Sequence, residues 1–442
     1  MTLEVSDLEK TQKYLNEVSE SFCLAKWTQV TLDLNRGTTA SCHHPVQHRI
    51  PTAEIKKSFH RLHNTEFKLA QRRLMLEGKR PAECSYCWRV EDSGPGAYSD
   101  RIIKSSYQWS RSMGEKILQD PINEEFAPKM VEVNLGANCN FKCSYCSEEV
   151  SSSWADEIEK FGGYPTLHQH GRSFNQSLAL NAEEKEIFAR AFDDWFKSLS
   201  SQLSTLRVTG GEPLLNESFW RLLTHMKQRE NGLFDFSINS NLGVSEPVWL
   251  RFLDELDILL LKKSSKEITI YTSNEALGER AEYIRFGLKH NLWIKRIEEL
   301  MDRYPSLNLV VMSTYNALCV KGFEGFLQEI LRLKMRRPHK PLRLDISLLE
   351  FPFHQRIEVL TDDFQQDLAT QLEFVRAEMS STKLFDFIEF EKMKRVITVF
   401  QERDRGANFT HKKDLIAFLR EHDRRRGTDA HKVFPEFSSW LR

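Results

Sequence analysis

Cys139-Asn-Phe-Lys-Cys143-Ser-Tyr-Cys146 carries three thiols at a C-x3-C-x2-C spacing, just after the β-rich run Met130-Val-Glu-Val-Asn-Leu135. A cubane [4Fe-4S] cluster is normally held by four thiolates. Three on one short loop leave one iron open to a small molecule, as a catalytic metal site keeps an open position. A zinc site completed by a distant fourth ligand also fits three thiols. What lies downstream of the loop separates the two readings.

Thr205-Leu-Arg-Val-Thr209 reads as a short buried strand and runs into Gly210-Gly211-Glu212-Pro213. Two glycines let the backbone approach a ligand closely, and the proline removes a donor and ends the strand. Together the cysteine loop and this Gly-Gly-Glu-Pro element resemble the radical SAM superfamily. The resemblance implies that S-adenosylmethionine (SAM) chelates the open iron through its amine and carboxylate. One electron then cleaves the sulfonium to a 5′-deoxyadenosyl radical, which abstracts an unactivated hydrogen. It also implies that the backbone of Gly210, Gly211, Glu212 and Pro213 receives the methionyl amine.

Two further elements carry the resemblance. Phe234-Asp-Phe-Ser-Ile-Asn239-Ser240-Asn241 is a strand running into polar residues, placed where the family contacts the SAM ribose. The next strand, Glu267-Ile-Thr-Ile-Tyr271, delivers Thr272-Ser273, and Arg285 follows twelve positions later on a helical segment. Family members with peptide-type substrates often hold the SAM carboxylate with a Ser and an Arg at this interval, which suits a hydroxyl and a forked guanidinium. The usual Ser-x-Asp-Gly is absent, because Asn274-Glu275 follows Ser273; a strand-end turn and a solvated helix face are the plain alternatives for the pair. Tyr145 stands where the family places an aromatic ring against the adenine, and a packing role is its plain alternative.

Apolar strand-like runs at 130–135, 205–209, 234–239, 267–271, 307–313 and 342–350 alternate with helical patterns at about 183–201, 217–229, 276–290 and 322–335. Six β/α units of this kind imply right-handed crossovers and a parallel sheet with ligands at the carboxyl ends of its strands. The expected class is α/β, a partial (β/α)6 TIM-like barrel of the radical SAM type. The fourth unit is the weakest: Ile258 to Tyr271 is interrupted by Lys262-Lys263-Ser264-Ser265-Lys266, expected to form a bulge or an extra turn.

Four more cysteines precede the barrel. Phe22-Cys23 leads into Trp27 and the alternating Gln29-Val-Thr-Leu-Asp-Leu34, an Arg36-Gly37 turn follows, and Cys42 comes after a second short strand, so a hairpin carries a thiol at each outer end. After a helix with Arg72-Arg-Leu-Met-Leu-Glu-Gly78 comes Pro81-Ala-Glu-Cys84-Ser-Tyr-Cys87. Four thiols make one closed site for zinc or for a second [4Fe-4S] cluster. The hairpin, this helix, the C-x2-C and the following Glu91…Gly94…Ser99-Asp100-Arg101 resemble an auxiliary-cluster segment of SPASM or twitch type, which implies iron at Cys23, Cys42, Cys84 and Cys87. In most relatives that segment follows the barrel; here it comes first. His43-His44 beside Cys42 are expected to be ordinary loop residues.

The expected units are 1–125 for the auxiliary cluster, 126–360 for the barrel and 361–442 for a helical extension that caps it, with amphipathic runs from Asp362 to Arg376 and from Phe385 to Phe400. Asp423-Arg424-Arg425-Arg426-Gly427 is expected to be a solvated helix end, with an anion clamp as the alternative. The Ser-, Gly- and His-containing stretch 151–174, with Trp154 and Tyr164, reads as a long loop at the catalytic face. Of the eight cysteines, Cys319 is left over; it is expected to be a small buried residue, with a catalytic thiol as the weaker alternative.

A formal charge of −1 with 28% charged residues leaves no footprint for nucleic acid, and no apolar run reaches the ~20 residues of a membrane span. Two oxygen-sensitive clusters imply cytoplasmic chemistry and a one-electron donor such as flavodoxin or ferredoxin. The resemblance points to a peptide or protein residue as substrate, although no winged peptide-recognition domain precedes the barrel. A dehydrogenase or mutase of a sugar-like or nucleoside molecule, and a non-catalytic zinc or iron scaffold, are the alternatives.

Overall fold

The computed structural model describes residues 5–94, 97–168, 170, 180–228, 234–404 and 408–441. Six parallel strands follow one another in chain order: β4 (Met130–Asn134), β6 (Thr205–Thr209), β7 (Asp235–Ser240), β8 (Glu267–Ser273), β10 (Asn308–Tyr315) and β11 (Arg343–Leu348). They coincide with the six runs read from the sequence. In β4 and β6 one face is apolar and shut away, with Val131, Val133, Leu206 and Val208 at most 1% exposed. The opposite face is polar. There the Arg207 guanidinium lies 4.6 Å from the Tyr271 ring, and its Nε donates to Asn239 Oδ1 at 3.2 Å.

The sheet does not begin at β4. β1 (Gln29–Asp33) pairs in parallel with β4, Gln29 opposite Met130, and carries β2 (Thr38–Ala40) and β3 (His48–Arg49) antiparallel beyond it. The N-terminal strands therefore extend the sheet to nine, in the order β11-β10-β8-β7-β6-β4-β1-β2-β3. The segment still has a core of its own, with Leu15, Phe22, Trp27, Met75, Trp88 and Ile102 packed around Cys23 and Cys87. A second, two-stranded ladder joins β5 (Lys142–Cys143) to β9 (Arg285–Phe286), antiparallel.

Four expectations are corrected. Ile258–Leu261 is the last turn of a helix, Glu246–Leu261, so the lysine-rich run after it makes a turn from helix to strand, the second of the two expected forms, and not a bulge within a strand. The expected helix 276–290 is broken: Gly278–Ile284 ends at β9, where Arg285 pairs with Cys143, and a new helix runs from His290 to Arg303. Within the stretch read as a long loop, Ser152–Phe161 is helical, started by the Ser151 hydroxyl accepting from Trp154 N and stopped at Gly162 with φ 75°. Residues 169 and 171–174 of that stretch lie outside the described residues.

The fourth correction concerns the arginine run. Arg424 is exposed, but Arg425 and Arg426 bury their side chains, to 1% and 0% exposure. The C-terminal extension is helical as expected, through Gln365–Ser381, Phe387–Gln401 and Asn408–Arg426. It is fastened to the sheet by a buried ion pair, Lys334 to Glu389 at 2.6 Å, whose carboxylate also accepts from Leu344 N at 2.7 Å. Among the described residues, no helix is long and apolar enough to cross a membrane.

Candidate functional site

The carboxyl ends of β4, β6, β7 and β8 open onto one cleft of about 1240 Å³ that is continuous with solvent. Cys139, Cys143, Cys146, Tyr145, Gly210, Gly211, Asn239, Ser240, Asn241, Ser273 and Arg285 all line it. Residues dispersed over nearly 150 positions thus meet where an open α/β sheet binds ligands.

The two glycines serve the thiol loop first. Gly211 N donates to Gly136 O at 2.9 Å and Glu212 N to Asn138 O at 2.6 Å, pinning the chain just before Cys139. A Cβ on Gly211 would stand 2.4 Å from Asn138 O, and one on Gly210, at φ 139°, would stand 2.7 Å from Gly136 O. A Gly211→Ala chain should lose about 1–3 kcal/mol of stability through this overpacking. It should also lose iron from the loop, as read by thermal unfolding and metal analysis.

Glu212 and Pro213 do not line the cleft. Pro213 opens a buried 3-10 turn, and the Glu212 carboxylate turns beneath the ends of β6 and β7. It accepts from Ser240 Oγ at 2.9 Å, Asn241 N at 2.6 Å and Leu214 N at 3.1 Å. Burial raises this carboxyl to about 7, against the pull of those donors. Its work is to hold Ser240 and Asn241 in place.

The β5–β9 pairing sets Arg285 directly opposite Cys143, with Nη1 3.8 Å from Sγ. The other edge of the guanidinium grips Glu275, Nη2 to Oε2 at 2.6 Å. Glu275 also accepts from Tyr145 Oη at 3.2 Å. Sequence reading passes over Glu275 except as a departure from Ser-x-Asp-Gly, yet it fixes both Arg285 and Tyr145. Arg36, from the N-terminal hairpin, lines the same cleft and donates to Glu149 at 3.2 Å.

Trp154 and Tyr164 are buried and stand away from the cleft. Trp154 Nε1 donates to Cys143 O at 2.9 Å, and Tyr164 Oη to Glu157 at 2.8 Å, so they brace the thiol loop from behind. Cys319 is fully buried, donating to Asn316 O at 3.1 Å, and is outside the cleft.

Cys23, Cys42, Cys84 and Cys87 converge on a separate cavity in the N-terminal core. Three nearby cations are buried. Lys26 takes the Glu83 carboxylate and sets Nζ 3.7 Å from Cys84 Sγ. Arg101 holds the Glu91 carboxylate at 2.8 Å, and Lys104 holds Asp100 at 3.0 Å. His44 lines this cavity rather than an open loop; its Nε2 meets Asp100 at 2.6 Å and its ring stacks on Tyr86 at 3.7 Å.

Both donor sets are thiols, which suit zinc and iron–sulfur clusters alike. All eight cysteines are free, and burial pushes the Cys84, Cys87 and Cys139 thiols up to about 12 and raises those of Cys23, Cys143 and Cys146. Such thiols ionise when a metal takes the proton's place. Among the described residues, two groups bring three ligand atoms within 4.8 Å of one another, His43–His44–Asp100 and His168–His411–Asp414. At the first group the Lys104 ammonium already sits 3.0 Å from Asp100.

No protein-family profile matches this chain, and no curated protein does. Among solved structures, it is similar to crystal structures of Streptococcus suis SuiB. With SuiB bound to S-adenosylmethionine the TM-score is 0.37 at 16% identity, covering 81% of this chain and 70% of that one. With SuiB bound to its precursor peptide SuiA the TM-score is again 0.37, at 15% identity, covering 81% and 70%. A superposition this loose carries no inference about activity.

Proposed function

We propose that the chain is a radical SAM enzyme acting on a peptide or protein residue. The observation that carries the reading is the single cleft at the carboxyl ends of parallel strands, where three thiols meet Gly210-Gly211 and the polar ends of β7 and β8. Cys139, Cys143 and Cys146 hold a [4Fe-4S] cluster with one open iron. When bound, that cluster and SAM supply one-electron cleavage of the sulfonium and abstraction of a substrate hydrogen.

The rest is positioning. Asn239, Ser240 and Asn241 face the ribose, Tyr145 flanks the adenine, and Ser273 with Arg285 takes the methionyl carboxylate. Arg285 has a second role: its charge beside Cys143 offsets that of the thiolates. Cys23, Cys42, Cys84 and Cys87 hold the auxiliary cluster, with Lys26, Arg101 and Lys104 lining the same cavity as its counter-charge. The peptide as substrate rests on the resemblance, as do a flavodoxin- or ferredoxin-type donor and a cytoplasmic setting.

Under anaerobic conditions with a strong one-electron reductant, the chain should convert SAM slowly to 5′-deoxyadenosine and methionine in equal amounts, without any added substrate. Arg285→Ala should weaken SAM binding without abolishing iron binding. A chain fully loaded with iron that yields no 5′-deoxyadenosine would remove this reading.

A further inference from the structure

Five of the chain's 14 histidines come together on one side of the helix Asn408–Arg426. The rings of His170, His354 and His422 lie 5.0, 5.3 and 5.8 Å from that of Phe418. His168 and His411 face each other at 4.8 Å. Four of the five have a buried ring nitrogen with no hydrogen-bond partner among the described residues: His170 Nδ1, His354 Nε2, His411 Nδ1 and His422 Nε2. Bare buried nitrogens are costly, and they are also what a metal ligand looks like before it is used.

One subset has ligand geometry. His411 and Asp414 stand three apart on the helix, hence on one face. Asp414 is 1% exposed and is oriented by Leu167 N at 2.6 Å and His168 N at 3.0 Å, while His168 Nδ1 lies 2.8 Å from its Oδ2. The three ligand atoms lie within 4.8 Å of one another. A clamp between loop and helix would need Asp414 and the two backbone donors alone; it leaves His411 Nδ1 unexplained. His354, 1% exposed, stands close enough to feel the charges of both His168 and His411. Burial pushes His354 and His411 below the usual imidazole range, which keeps both neutral and able to donate a lone pair.

We propose that His168, His411 and Asp414 form a site for a divalent transition metal of the zinc class, bound by two neutral imidazoles and one carboxylate with a fourth position open. A mixed nitrogen and oxygen set suits zinc, and neither the all-oxygen preference of magnesium and calcium nor the thiolates of an iron–sulfur cluster describes it. The ion ties the segment before residue 169 to the C-terminal helix. The site is independent of the two thiol sets.

The test uses the full chain, anaerobically reconstituted, given one equivalent of zinc sulfate and passed through gel filtration. It should retain about one zinc per chain more than His411→Gln or His168→Asn does, with the same iron in all three. Zinc should raise the thermal midpoint of the unaltered chain and leave that of His411→Gln where it was. His411 Nδ1 has no hydrogen-bond partner among the described residues, so without metal the midpoint of His411→Gln should fall only by the loss of ring contacts with His168 and Phe353. Equal zinc retention in the unaltered chain and His411→Gln, or a zinc-induced rise in both, would overturn the site. The iron count reads the cluster assignment separately, so failure of one is distinguishable from failure of the other.

Discussion

The Cys139→Ala/Cys143→Ala/Cys146→Ala chain is expected to hold about four irons where the unaltered, anaerobically reconstituted chain holds about eight, and to release no 5′-deoxyadenosine from SAM. The two thiol sets occupy different cavities, and the quartet sits in the N-terminal core with its own buried cations. Emptying the triad therefore leaves the quartet's metal in place. Cys84→Ala/Cys87→Ala should give the converse: about four irons, with SAM cleavage retained. Iron and product analysis of both variants checks the pair of statements. A triple variant that keeps all its iron would show the assignment of the catalytic cluster to be wrong.

The second large effect is on stability. Arg426 buries its whole side chain, donating from Nε and Nη2 to the two Glu157 oxygens at 3.0 Å and from Nη1 to Lys142 O at 2.6 Å, with Trp154 4.8 Å away. Removing one member of a buried pair strands the other, at a cost of about 3–5 kcal/mol. Arg426→Met should therefore unfold at clearly lower denaturant than the unaltered chain, and adding Glu157→Gln should recover much of the loss. Burial alone would raise the Glu157 carboxyl; Arg426 and Lys142 outweigh it and hold it at about 2. A depressed folded pKa gives stability that is complete above the ordinary carboxylate value near 4.5 and is lost as pH falls through about 2. The gap between Arg426→Met and the unaltered chain should accordingly narrow below pH 4.5. A gap that stays constant down to pH 2 would detach the effect from this ion pair.

The parallel strands were legible because each is an apolar run of the right length bounded by a helical pattern, and Cys139, Cys143 and Cys146 were legible because metal-ligand spacing is local. What escaped was written elsewhere in the chain. The helix Glu246–Leu261 ends in four apolar residues in a row, which read as a strand because no polar face interrupts them, and Leu261 is left 85% exposed. Arg285 forms a strand only because Lys142–Cys143 pairs with it, and a two-residue ladder leaves no periodicity to find. Arg426 looks like a solvated charge until Glu157 arrives from 269 positions away. Glu212 and Gly211 belong to a motif that a ligand is expected to explain, yet their nearest debts are to the neighbouring backbone.

The pairing of β1 with β4 has a consequence for how the chain can be cut and how it must fold. Removing residues 1–125 would leave β4 as a bare edge, five residues of unpaired N–H and C=O groups flanking Val131 and Val133, ready to recruit a strand from another molecule. The native chain shields that edge with progressively shorter strands, ending in the two-residue, charged β3. Gln29 must wait for Met130, a parallel contact across about a hundred residues, so this seam closes late on a ribosome and slowly in a refolding tube. A fragment beginning at residue 126 should come out as aggregate, and the N-terminal segment supplied in trans should keep it in solution.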